Sequence, residues 1–331
     1  MAEPSASGAE VIKIEEARSP GRCQARTSDG KRCRNRADTT GYCTTHHPAE
    51  PSEPTALEMV LQDVLAFMRR RATGDYHVDD FGFDKDLTES VLLPALRPLF
   101  KNYWRIDQTG VSSIPETGPA LFVCNHSGTL PLDALMVKVG VFEERRRHIR
   151  LLAADLALSL PIVGELARKG GSTLACEEDA MRLLDGGEAV AVFPEGFKGI
   201  GKPFRERYRL QRFGRGGFVE VALRAQVPII PVAIVGAEEI FPMIANLKPL
   251  ARLFGFPYFP VTPTFPFLGP LGMIPLPSKW VIEYGEPIST ADFGSDGSID
   301  PMLVFNLTDQ VRDTIQQMLY RNLIGRRNAF F

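Results

Sequence analysis

The sequence predicts an α/β fold: a mixed, largely parallel sheet flanked by helices, preceded by a small N-terminal zinc module. Three observations lead there. From residue 119 onward, short β-like runs alternate with helical stretches, the order that builds a sheet covered by helices. Several of those runs, AVAVF and VPIIPVAIVG among them, are apolar at successive positions, as strands buried on both faces must be. Near the N-terminus, three cysteines and a histidine are spaced to hold one metal ion, in a segment too short to bury a core.

The 331 residues suffice for one large domain with an appendage. A net charge of −2 exerts no global pull toward nucleic acid or anionic lipid, so any electrostatic partner must be met locally. Five cysteines, an odd number with three of them clustered, favour a reducing compartment over a disulfide framework. The opening MAEPSASGAEVIKIEEARSP has no apolar signal core, so a cleaved secretion signal is not expected. No run of about 18 apolar residues occurs, so a transmembrane helix is not expected either. The expected place is the cytoplasmic side of a membrane, touched peripherally.

Residues 1–20 read as a flexible polar tail, 21–48 as the Cys/His module, 49–55 as a Pro-rich linker, and 56–331 as the main domain with N-terminal helices. Leu57, Val60, Leu61, Val64, Leu65 and Met68 recur at helical spacing and predict an amphipathic helix over 56–71. A second helical stretch begins near Asp86, where Pro94 and Pro98 are expected to kink or divide it. Its Leu and aromatic residues, flanked by Arg97, Lys101 and Arg105, suit either a membrane interface or packing on the domain. Next come the strand ALFVCN, a helix from Pro131, the strand HIRLLAA, a helix to Arg168, the strand EAVAVFPE, the helix GFVEVALRA and the strand VPIIPVAIVG. Residues 249–278 are crowded with Phe, Pro and Gly, too proline-rich for a helix. They read as an apolar lip or as a loop packed on the core. KWVIEYGEPI predicts one more strand, and 300–324 a closing helix.

Two blocks carry chemistry. Asn125-His126-Ser127-Gly128 places one of only five histidines directly after a strand, where α/β sheets present functional loops. Asp133 is the nearest downstream carboxylate. A base acting on an alcohol needs a near-neutral pKa, and a carboxylate on its second nitrogen fixes the tautomer. Seven helical residues rise about 10 Å, too far for one hydrogen bond. Gly128 and Pro131 instead favour a turn that folds the two side chains together. The second block, Phe193-Pro194-Glu195-Gly196, ends an apolar strand. It opens a stretch with Lys198, Lys202, Arg205, Arg207, Arg209, Arg212 and Arg215 against one acid, Glu206. Such a cluster suits a phosphate on a lipid headgroup or on coenzyme A.

Together the blocks resemble the glycerolipid and lysophospholipid acyltransferase superfamily. Its members carry Asn-His then Asp, then Pro-x-x-Gly, then Phe-Pro-Glu-Gly, then an apolar strand with Pro. Here these are Asn125-His126 with Asp133, Pro161-Ile162-Val163-Gly164, Phe193-Pro194-Glu195-Gly196 and Val227-Pro228-Ile229-Ile230-Pro231-Val232. The resemblance implies transfer of a fatty acyl group from acyl-CoA or acyl carrier protein to a lysolipid or glycerolipid hydroxyl at a membrane surface. His126 would be the general base and Asp133 its orienting partner. Asn125, Ser127, Gly128, Phe193, Pro194, Glu195, Gly196, Lys198, Lys202 and Arg205 would contribute to substrate binding. No cofactor is required for the catalytic step. There is no Gly-x-Ser-x-Gly elbow for a serine nucleophile. The family usually leaves four residues between His and Asp, and here there are six, SGTLPL. The family's Thr-Arg-Ser is replaced by Phe197-Lys198-Gly199, and its second-block arginine has no match in KGGSTLACEED.

Cys23, Cys33 and Cys43 are separated by nine residues each, and His46 supplies a fourth ligand, with His47 its alternative. Three thiolates and one imidazole form a closed, structural zinc site whose metal supplies the folding free energy. The segment resembles the small WRC-type zinc motif, whose second gap is usually one residue longer. Arg22, Arg26, Lys31, Arg32, Arg34 and Arg36 interleave with the ligands. They support a rival reading: a nucleic-acid- or membrane-binding protein acting through residues 21–48, its acyltransferase-like domain inert. A thioesterase or lipase using the same pocket is a third.

Overall fold

A computed structural model describes residues 21–27, 29–46, 56–293, 300–326 and 328. The expected tail, the 49–55 linker and His47 lie outside them. The chain falls into two compact units, 1–62 and 63–331.

In the first unit, antiparallel bridges Arg22–Arg36 and Arg26–Arg32 make a short hairpin, closed by the Cys23 and Cys33 amides donating to Asn35 and Ala25 carbonyls at 3.0 and 2.8 Å. Cys23, Cys33 and Cys43 are buried within it.

Among the described residues, the second unit is built on nine strands: β1 (Asp107–Thr109), β2 (Ala120–Cys124), β3 (Ile149–Ala153), β4 (Ser172–Leu174), β5 (Ala189–Val192), β6 (Ile229–Val235), β7 (Ala245–Asn246), β8 (Pro260–Val261) and β9 (Val281–Tyr284). Seven form one sheet in the order β1-β9-β6-β2-β5-β3-β4, parallel except between β6 and β9. β7 and β8 pair separately. The predicted mixed, largely parallel sheet is thus present.

The central strands β2, β5 and β6 are buried on both faces, which is why they read as unbroken apolar runs. In β2 the alternation divides the side chains: Ala120, Phe122 and Cys124 enter one core with Met136, Ile282 and the stacked pair Trp104–Trp280. Leu121 and Val123 enter the other with Phe218, Leu223, Val311 and Met318. The helix Leu132–Arg145 covers the first face; Glu177–Asp185, Gly217–Ala225 and the closing helix Pro301–Gly325 cover the second.

Three expectations are corrected. Residues 85–103 are helical throughout, so Pro94 and Pro98 do not divide the run, but its winding alternates, π over Thr88–Leu92 and Leu99–Tyr103 and α over Lys85–Leu87 and Leu93–Pro98. The membrane-interface alternative for that run is overturned, because Leu93, Phe100 and Trp104 are buried in the first core. Residues 248–254 are helical, since Pro249 sits in the first turn, where no N–H is required.

Candidate active site

Register places the site. Val123 is level with Val192 across β2/β5, and Cys124 with Val232 across β2/β6. His126, the Phe193–Gly196 block and the turn after β6 therefore emerge at one end of the sheet.

The backbone turns sharply after His126, with φ of 91° at Gly128 and 55° at Thr129. A Cβ at Gly128 would lie 2.6 Å from the Ala237 carbonyl oxygen, so only glycine fits. The next helix starts at Leu132 and brings Asp133 back to the histidine: Nδ1 of His126 and Oδ2 of Asp133 are 2.8 Å apart. Six intervening residues thus give the contact that the longer gap had put in question. Oδ2 also accepts the Ser127 N–H at 2.8 Å, and Oδ1 the Ala134 N–H at 2.8 Å. Asp133 is fully buried, while the His126 side chain stays 12% exposed. With its proton on Nδ1 and directed at the carboxylate, the imidazole leaves Nε2 as an acceptor.

Glu195 supports the histidine from the opposite side. Its Oε1 accepts the His126 N–H at 2.9 Å and its Oε2 the Gln211 N–H at 2.6 Å, in a 3%-exposed setting. Gly199 packs on the same spot. A Cβ there would meet the His126 carbonyl oxygen at 2.8 Å and Glu195 Cβ at 2.8 Å. That accounts for a glycine where the family often has serine. Phe193 lies against the imidazole, ring centroids 4.6 Å apart.

Several expected substrate ligands have their polar groups spent inside the protein. The Asn125 amide, fully buried, donates to the Ile234 carbonyl at 3.0 Å and accepts the Ile234 N–H at 2.7 Å, tying the loop to β6. Glu195 is engaged as described. Lys202 is buried, 3.0 Å from Glu238, 3.6 Å from Glu195 and bonded to the Arg209 carbonyl. These three hold the backbone of the site through contacts within the protein. Ser127 is also sealed in, its hydroxyl without a partner among the described residues. Gly196 and Lys198 are exposed, Pro194 is half-buried, and Arg205 faces solvent beside Glu206.

Some supporting residues gave no signal in the sequence. Burial raises Glu238 to about 7 despite the opposing pull of Lys202. Tyr258 donates its hydroxyl to the Thr129 carbonyl, fastening the Phe/Pro-rich segment to the turn after His126. Burial, with Asp133 adding, pushes its phenol well up. For Glu238 and its neighbour Glu239 the sequence shows only two adjacent acids, three and four positions past the end of β6.

An acyltransferase family model matches residues 105–235, the span from β1 to the end of β6 that contains both halves of this site. A Mycobacterium tuberculosis protein of uncharacterised activity is 57% identical over 293 residues, 88% of this chain and 81% of that protein. The chain belongs to the acyltransferase family. The superfamily resemblance read from its four blocks is thereby shown. This acyltransferase also matches the human "DGAT1/2-independent enzyme synthesizing storage lipids", 28% identical over 160 residues, 47% of this chain and 49% of that one. The chain thus spans about half the length of that relative. Among solved structures, it is similar to the 1-acyl-sn-glycerophosphate acyltransferase PlsC of Thermotoga maritima, with a TM-score of 0.47, 17% identity, and coverage of 82% of this chain and 98% of that one.

In the N-terminal unit of the acyltransferase, the ligand atoms of Cys23, Cys33, Cys43 and His46 all lie within 4.8 Å of one another. Cys33 and Cys43 sulfurs are 3.9 Å apart, and Cys43 sulfur is 3.4 Å from His46 Nδ1. Those separations fit the edges of a tetrahedron with metal–ligand bonds of about 2.0–2.3 Å. The Cys43 thiol is lowered to about 6: burial opposes this, and hydrogen bonds from Thr45, Asn35 and His46 outweigh it. Cys43 thus favours the thiolate that binds metal, whereas at Cys33 an Asn35 backbone hydrogen bond that lowers the thiol is outweighed by burial and by Cys43 and Cys23, and the thiol is raised.

Proposed function

We propose that the protein transfers a fatty acyl group from acyl-CoA or acyl carrier protein to a lysolipid or glycerolipid hydroxyl at a membrane surface, with His126 as general base. The observation that carries this reading is the His126–Asp133 contact at 2.8 Å, with the imidazole partly exposed at the strand ends. Nε2 takes the proton of the acceptor hydroxyl while its oxygen attacks the thioester carbonyl carbon. The tetrahedral intermediate then expels the thiol: the C–S bond breaks and the imidazolium returns its proton to sulfur. Asp133, unable to leave its three donors, keeps the imidazole in one tautomer and balances its transient charge. Gly196, Lys198 and Arg205 remain the exposed residues of the expected acceptor surface.

Two apolar surfaces favour a peripheral membrane enzyme on the cytoplasmic side. Along the helix Ala56–Thr73, Leu61, Val64, Leu65 and Met68 face solvent. In the 249–278 segment, Leu253, Phe254, Phe267, Leu268, Leu271 and Ile274 are exposed, and Tyr258 links this segment to the His126 turn. Among the described residues, no helix is long and apolar enough to cross a membrane. We assign residues 21–48 to a structural zinc module, 49–55 to a linker and 56–331 to the acyltransferase domain with its N-terminal helices. The ordered His–Asp pair weighs against the rival reading of an inert domain.

The test is incubation of the purified chain and liposomes with labelled acyl-CoA or acyl carrier protein and a panel of lysolipids. A labelled ester is expected. Free fatty acid alone would mean a hydrolase, and no product would leave the binding-protein reading.

A further inference from the structure

The seven basic residues after β5 do not act as one cluster. Lys202 is buried among acids, Arg205 lies beside Glu206, and Arg207 stacks on Phe204. The side chains of Lys198, Arg209, Arg212 and Arg215 have no hydrogen bond or ion pair among the described residues, and of these Arg212 and Arg215 share one groove. Both line a groove of about 510 Å³ between the 212–216 loop and the first half of the closing helix, which adds Val304, Phe305 and Arg312, the last 3.3 Å from the exposed carboxylate of Asp313. The groove is shaped by close contact: a Cβ at Gly216 would strike Val304 Cγ1 at 2.6 Å and Thr308 Oγ1 at 2.8 Å. The helix Gly217–Ala225 opens beside it with no side-chain cap on its N-terminal amides. Uncapped amides and arginines together favour anionic oxygen. Glu220 and Asp309 also line it, offering acceptors for amide or amino N–H groups.

We propose that this groove holds the phosphopantetheine-bearing carrier of the acyl donor, its phosphate groups on Arg212, Arg215 and Arg312. The inference rests on the acyl-transfer reading and adds where the donor enters. Two observations separate donor from acceptor. The groove lies on the second face of the sheet, lined by Phe213 and Val304 of that core. The apolar segment is anchored on the first face, where Leu276 and Pro275 carbonyls accept from Trp104 and Tyr103. A lipid arriving from the apolar side and a water-borne thioester arriving from the polar side then meet at the strand ends. The second link is covalent: Arg212 directly follows Gln211, whose N–H shares the Glu195 carboxylate with His126. The wall of the groove is thereby tied to the base.

Calorimetric titration of the full chain with coenzyme A, and separately with phosphopantetheinylated acyl carrier protein, tests this directly. One of the two probes binds the parent, and the one that binds names the source. The Arg212→Ala/Arg215→Ala double variant then binds about 10- to 100-fold more weakly, the loss expected for charge-assisted bonds to phosphate. Arg321→Ala, at an exposed arginine on another surface, leaves binding unchanged. In turnover, the double variant raises KM for the donor and leaves kcat and the lysolipid KM as they are. Equal binding by parent and variant, binding of neither probe, or a raised lysolipid KM instead would overturn the assignment. Arginine-dependent binding of coenzyme A without any acyl transfer would keep the groove and sink the acyl-transfer reading alone.

Discussion

Glu195 binds two backbone N–H groups at once and so ties the loop that carries His126 to the segment at Gln211. Its place between Pro194 and Gly196 at a strand end marked it as functional, but nothing local reveals that both oxygens are taken by backbone N–H groups 69 and 16 positions away. The partners of Asn125 and Lys202, Ile234 and Glu238, are likewise remote in the chain, so these contacts are not legible locally. His126 and Asp133 were legible because Gly128 and Pro131 announce the turn that joins them. The double contact of Glu195 predicts a particular loss. Glu195→Gln keeps one acceptor and turns the other toward an N–H it cannot satisfy. Stability should fall by about 1 to 3 kcal/mol, seen as a lower urea midpoint at unchanged slope. An unchanged midpoint would return Glu195 to a role at the substrate.

Elements were read more reliably than their supports. β2, β3, β5, β6 and β9 are all legible in the sequence, β2, β5 and β6 as buried apolar runs and β3 and β9 as mainly apolar stretches that also carry Arg150 and Glu283. β4 and the helix Glu177–Asp185 were not anticipated, since three residues at a sheet edge give no period and the helix is rich in charge. The helix at 248–254 was missed by weighing its proline without its position. The turn after β6 carries the pH-sensitive group. Glu238 titrates near 7 in the fold, above its ordinary 4.5, so the folded state holds a proton that the unfolded chain has released. Its contribution is fully present below about 4.5 and is lost as pH rises through about 7. Glu238→Gln should remove that decline in stability between pH 4.5 and 7; an identical pH profile in the variant would exclude Glu238 as its source.

At the scale of the whole molecule, a catalytic unit with an apolar edge accompanies a small Cys/His unit whose packing rests on its ligand set. Chelating metal from the full chain should release the Cys23, Cys33 and Cys43 thiols to a thiol reagent while acyl transfer continues. Loss of transfer on chelation would instead make the module part of the enzyme. The exposed edge leads to a separate expectation: Phe267→Ser with Leu271→Ser, at side chains 73% and 68% exposed, should weaken sedimentation with liposomes without altering thermal stability. Equal sedimentation would place the membrane contact elsewhere.

The imidazole at the strand ends is tested most directly by the turnover number of His126→Ala with labelled acyl-CoA and the best lysolipid acceptor. The variant should fold as the parent does and turn over about 10²- to 10⁴-fold more slowly, the contribution of a positioned general base. A correctly folded variant with parental turnover would contradict that role.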